Sequence, residues 1–136
     1  MRSSPNRLVA VTVGALYLVA GIAGLFVTAG IGVFTVPGRV LLGVFAINPS
    51  AAVLDVLAGA ALLIAGLSTV AASKVVTTIL GATFLVLGIA GLFVIGTPFN
   101  VLALNGADNV LHFASSVALL AVALGADRSV TTVVTS

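Results

Sequence analysis

Two side chains able to take up or release a proton, Asp55 and His112, stand inside long apolar stretches of this 136-residue chain. A carboxyl beside an imidazole can share a proton, couple its movement to a solute, or clamp two helices together. Asp55 lies seven residues past Asn48, about 10 Å along a helix. An ionised Asp at the centre of a membrane span costs about 2.5–3.5 kcal/mol, so such a residue faces the bundle interior and needs a partner. His112 is the partner expected here. Asn48, Asn105, Asp108 and Asn109 add polarity near the same end of the helices. Asp108 is four residues before His112 and so shares its helix face, although its first role is to cap the fourth helix. Asn48-Pro49 reads in the same way, as an N-cap followed by a first-turn proline.

Other chemistry is poorly supplied. With no cysteine there is neither a thiolate nucleophile nor a disulfide framework. No nucleophile stands beside a base, there is no glycine-rich phosphate loop, and H-E-x-x-H is absent. One histidine with Asp55 and Asp108 does not make the spacing of a metal site. No catalysis, metal or cofactor is expected.

These residues must be positioned by elements that live in lipid. Of the residues, 61% are hydrophobic, while Lys and Arg number five and Asp and Glu three. A soluble domain has about a quarter of its residues charged. Six per cent charge cannot solvate the surface of so small a domain. A soluble enzyme, a nucleic-acid binder and a disordered tail are excluded together. Apolar runs with at most one charged residue fall at about 8–28, 51–72, 75–95 and 108–126, each about long enough to cross a hydrocarbon core. They lack the alternation of barrel strands, so the fold class is all-α, an integral membrane four-helix bundle forming one domain over 1–128. The segment 129–136 reads as a short unordered tail. Arg2, Arg7, Lys74 and Arg128 fall on one side of this topology against Arg39 on the other, which places both termini in the cytoplasm of a plasma-membrane protein. The first run is too long for the apolar core of a signal peptide and is read as retained.

An internal duplication organises the chain. Gly14–Val27 and Gly81–Val94 are identical at eleven of fourteen positions with an offset of 67, pairing Tyr17 with Phe84. The similarity continues at an offset of 57, where VFAIN at 44–48 meets VLALN at 101–105, and 53–63 meets 110–120. Two parallel two-helix repeats, about 8–72 and 75–126, are expected around an axis along the membrane normal. Asn48 then corresponds to Asn105, and Asp55 to His112. Gly14, Gly21 and Gly24 are matched by Gly81, Gly88 and Gly91. Such small residues let helices approach closely, and the Gly/Ala-rich faces could also receive a second copy or a membrane protein partner. The apolar stretch 29–48, broken by Pro37 and Gly38, is expected to lie in the interface or to re-enter it.

At Asn48-Pro49 and at Ala107-Asp108-Asn109-Val110-Leu111-His112 the sequence resembles the bacterial four-span family catalogued as domain of unknown function 4383, over about residues 8–126. The second motif is well kept. At the first, Ala51 and Asp55 stand where the family pattern tends to have histidine. The resemblance implies the four-span fold and carries no activity. The expected function is therefore that of a non-catalytic structural, assembly or accessory subunit in the bilayer. The alternative is a small transporter or channel-like protein using Asp55 and His112.

Overall fold

The computed structural model describes residues 4–127. It contains four helices, α1 (Pro5–Val27), α2 (Pro49–Leu67), α3 (Val70–Val94) and α4 (Gly106–Gly125), each long and apolar enough to cross a membrane. Between α1 and α2 lie two short strands, β1 (Arg39–Leu41) and β2 (Phe45–Ile47). Arg2, Arg128 and the tail 129–136 lie outside the described residues, so the charge comparison and the tail reading rest partly on them.

Each helix begins where a side chain can satisfy first-turn N–H groups. Ser4 Oγ accepts from Arg7 N at 3.3 Å, with Pro5 in the first helical position. Asn48 Oδ1 accepts from Ala51 N at 3.0 Å, again followed by proline. Thr69 Oγ1 accepts from Ala72 N at 3.0 Å. Asn105 and Asp108 form a reciprocal capping box, in which Asp108 N donates to Asn105 Oδ1 at 3.0 Å and Asn105 N to Asp108 Oδ2 at 2.8 Å. The third of these caps moves a boundary. Residues 70–72 were expected to finish the second span, yet they open α3 because Thr69 caps them, and only Ser68 and Thr69 separate the two helices. Lys74 is consequently the fifth residue of α3, at the start of its second turn.

Packing is dominated by two helical hairpins, α1 on α2 and α3 on α4. A Cβ at Gly14 would lie 2.6 Å from the Leu63 nitrogen, and one at Gly81 would lie 2.8 Å from Leu120 Cγ. Gly21 faces Val56 where Gly88 faces Phe113, and Gly24 faces Ala52 where Gly91 faces Asn109. In all three cases the glycine of the second hairpin is 67 residues on and its neighbour 57 residues on. Both offsets found in the sequence thus reappear as matched helix contacts. The outward faces are apolar, with Phe26 and its counterpart Phe93 exposed at 79% and 76%.

The stretch after α1 has regular structure of its own. It turns and forms an antiparallel β-hairpin in which Arg39 faces Ile47 and Leu41 faces Phe45. Gly38 adopts φ +77° against the Ile47 carbonyl, where a Cβ would collide. Leu41 and Ile47 are buried with Ala52, so the β-hairpin is seated on the start of α2. The corresponding loop of the second half is shorter and is closed by Asn100, whose side chain donates to Leu104 O and accepts from Leu104 N, both at 2.8 Å.

Candidate functional site

The predicted polar residues gather at the end of the bundle that carries the β-hairpin, called here the hairpin end. Asn48 is fully buried, and besides capping α2 it donates from Nδ2 to Val101 O at 2.9 Å and Thr35 O at 3.3 Å. Asn105 donates from Nδ2 to Val44 O at 2.8 Å. Ser50 Oγ supports the first of these, bonding both Asn48 Oδ1 at 2.7 Å and Val101 O at 3.0 Å. Asp108 closes the capping box with Asn105 at the start of α4. The cluster of Asn48, Asn105 and Asp108 therefore terminates helices and binds the two hairpins to each other's loops.

Deeper in the bundle, the arrangement differs from the expected Asp55–His112 pair. Tyr17 and Phe84, the residues matched by the offset of 67, stack with ring centroids 4.5 Å apart. His112 also stacks with Phe84, at 5.6 Å between ring centroids. Tyr17 Oη and Ser115 Oγ share a hydrogen bond at 3.0 Å. Asp55 is half-buried and within electrostatic reach of Tyr17 and Asp108. No hydrogen bond or ion pair joins it to His112 among the described residues, and His112 Nδ1 is buried without a hydrogen-bond partner. His112 meets the ring of Phe84, which also stacks on Tyr17, where the sequence suggested a carboxylate.

Asn109, expected as a member of the polar cluster, is buried against Gly91 and its Oδ1 has no hydrogen-bond partner. It caps nothing. The opposite end of the bundle holds a polar node that the sequence reading passed over. Asn6 is fully buried, donating from Nδ2 to Val122 O at 2.9 Å and Asp127 Oδ2 at 2.8 Å, while its Oδ1 accepts from Thr77 Oγ1 at 3.0 Å. Asp127 also accepts from Ser4 Oγ, and these bonds from Ser4 and Asn6 hold its carboxyl below the usual carboxylate range. Arg7 Nε donates to Gly66 O at 2.9 Å, covering a carbonyl at the end of α2. The available signal was Asn6 itself, a short amide directly after the Pro5 that opens a helix.

Residues 7–125 match the family model described as "Domain of unknown function (DUF4383)". The chain belongs to this family. No curated protein and no solved structure matches it. In this DUF4383 chain the four apolar helices span the matched region. Among the described residues, no group of three or more His, Cys, Asp or Glu side chains could hold a metal ion. What the arrangement does chemically is satisfy polar backbone and side-chain groups at the two ends of an apolar bundle, where an unpaired group would cost several kcal/mol.

Proposed function

We propose that this is a non-catalytic multi-pass protein of the plasma membrane, with both termini cytoplasmic, acting as a structural, assembly or accessory subunit. The reading rests on the closed centre of the bundle, where Tyr17 and Phe84 stack between the two hairpins. Leu62 and Leu119, which correspond at the offset of 57, are fully buried beside them. A solute path along the axis would have to part these rings. The glycines of α1 and α3 are occupied by their hairpin partners, so a protein partner or second copy would meet the outward Leu, Val and Phe side chains.

The transporter reading is supported by one feature, the half-buried Asp55 within reach of Asp108. Asp55→Asn separates the two functions. The subunit reading expects unchanged growth and unchanged pH-dependent solute flux in cells, with a stable partner recovered by affinity purification in mild detergent. Abolition of a pH-dependent flux by this substitution overturns it.

A further inference from the structure

The β-hairpin is apolar on both faces. An antiparallel hairpin with one face in water alternates apolar inward with polar outward. Leu41 and Ile47 are buried as that pattern requires, but Val40, on the opposite face of β1, is a valine exposed at 59%. The turn between the strands is closed by Val44 N donating to Leu41 O at 3.1 Å, with Leu42 at φ +52° and Gly43 at φ +72°. Two left-handed residues in a hairpin turn favour Asn-Gly, since a short polar side chain tolerates the first position. Leucine stands there instead, 83% exposed. Water gives such a side chain nothing, and an apolar surrounding would stabilise it.

The second half keeps the feature. At the offset of 57, Leu42 corresponds to Phe99 and Val44 to Val101, and these are exposed at 79% and 49%. The stretches 28–48 and 95–105 contain one charged residue, Arg39, which is exposed and has no ion pair among the described residues. Place in the fold says what covers these loops. With 19 and 20 residues, α2 and α4 are about 28–30 Å long, the thickness of a hydrocarbon core. β2 ends one residue before the Asn48 cap of α2, and its Ile47 covers Gly24 near the end of α1. The β-hairpin is therefore level with the helix ends, beside a headgroup layer about 5–7 Å deep. Corresponding positions of parallel repeats lie across the axis from each other, so a partner on one flank would meet one loop, while lipid meets both.

We propose that the β-hairpin and the loop holding Phe99 form a phospholipid-binding collar. Leu42, Val44, Phe99 and Val101 enter the acyl region just below the headgroups. The Arg39 guanidinium binds a lipid phosphate, whose oxygens its planar donor fork can engage in pairs.

The chain contains no tryptophan, so Leu42→Trp and Phe99→Trp each introduce a single indole, at exposed positions outside the core. The full chain is placed in nanodiscs of phosphatidylcholine brominated midway along its acyl chains. Insertion about 5–10 Å into the headgroup–acyl boundary should lower the fluorescence of either indole about twofold, and acrylamide in the water should quench it about fivefold less than free tryptophan. The phosphate contact is read by solid-state NMR, as dephasing of labelled guanidinium nitrogens by lipid phosphorus. Arg39→Gln should remove part of the dephased signal. Free access of acrylamide to either indole, without quenching by bromine, would place that loop in water, open to a protein partner, and overturn the collar. Dephasing unchanged by Arg39→Gln would overturn the phosphate contact.

Discussion

Asn48 and Asn105 each complete the other's hairpin. Asn48 starts α2 and donates to Val101 O at 2.9 Å, while Asn105 starts α4 and donates to Val44 O at 2.8 Å. Each acceptor lies four residues before the opposite asparagine, and Val44 and Val101 correspond at the offset of 57. One side chain thus does two jobs, since its oxygen caps a helix and its amino group joins the two halves of the bundle.

The two jobs can be separated at Asn105. Serine keeps a capping oxygen but cannot donate to Val44, so Asn105→Ser should cost about 1 kcal/mol for the lost hydrogen bond. Asn105→Ala also removes the cap and should cost about 1 kcal/mol more. Equilibrium unfolding in mixed micelles measures both. No loss for serine would mean that the bond to Val44 contributes nothing, and equal losses for serine and alanine would mean that the cap contributes nothing.

The aromatic stack makes a graded prediction. Tyr17→Phe keeps the rings together and deletes only the partner of Ser115, for a loss of about 1 kcal/mol. Phe84→Ala removes the ring between Tyr17 and His112 and should cost about 3–5 kcal/mol. Thermal unfolding of the purified variants should rank them in that order.

Gly21 and Gly88 correspond in sequence but face different obstacles. A Cβ at Gly21 would lie 2.6 Å from the Val56 backbone nitrogen, which cannot move without shifting α2. At Gly88 it would lie 3.0 Å from the Phe113 ring, a side chain that can rotate. Folded yield in detergent should therefore fall more for Gly21→Ala than for Gly88→Ala, and leucine at either position should abolish it. Unchanged yield with Gly21→Leu would remove the close-packing argument.

At the end bearing the termini, Asp127 ties Ser4 and Asn6 to the end of α4. Its carboxyl is held below the ordinary value, so the folded state favours the ionised form. The stabilisation is complete above the unfolded pKa of about 4 and is lost as pH falls through the lowered folded value. Asp127→Asn should flatten the dependence of unfolding on pH in that acid window and leave it unchanged near neutrality. A wild-type slope that survives the substitution would assign the dependence to another group.

Much of the fold was legible because its signals are local. The near-absence of charge located four spans, and Asn48-Pro49 and Asp108 announced helix starts through cap chemistry that needs only a few adjacent residues. The α2–α3 boundary was misplaced because apolar composition runs straight across Ser68 and Thr69, and only the Thr69 cap divides it. The surroundings of His112 were not legible for a non-local reason: the sequence alignment matched it with Asp55, but the ring it stacks on, Phe84, stands on another helix. Asn6 was missed because its partners, Thr77, Val122 and Asp127, are more than seventy residues away in the chain.

The exchange between Asn48 and Asn105 has a consequence for synthesis. A ribosome delivers α1, the β-hairpin and α2 before Val101 exists, so the Asn48 amide enters the membrane with Thr35 O as its available carbonyl partner. The first half is therefore an unfinished product whose final hydrogen bond comes from later in the same polypeptide. Cutting the coding sequence between Ser68 and Thr69 would yield two fragments, each carrying the acceptor that the other lacks, and co-expression of both should restore what neither achieves alone.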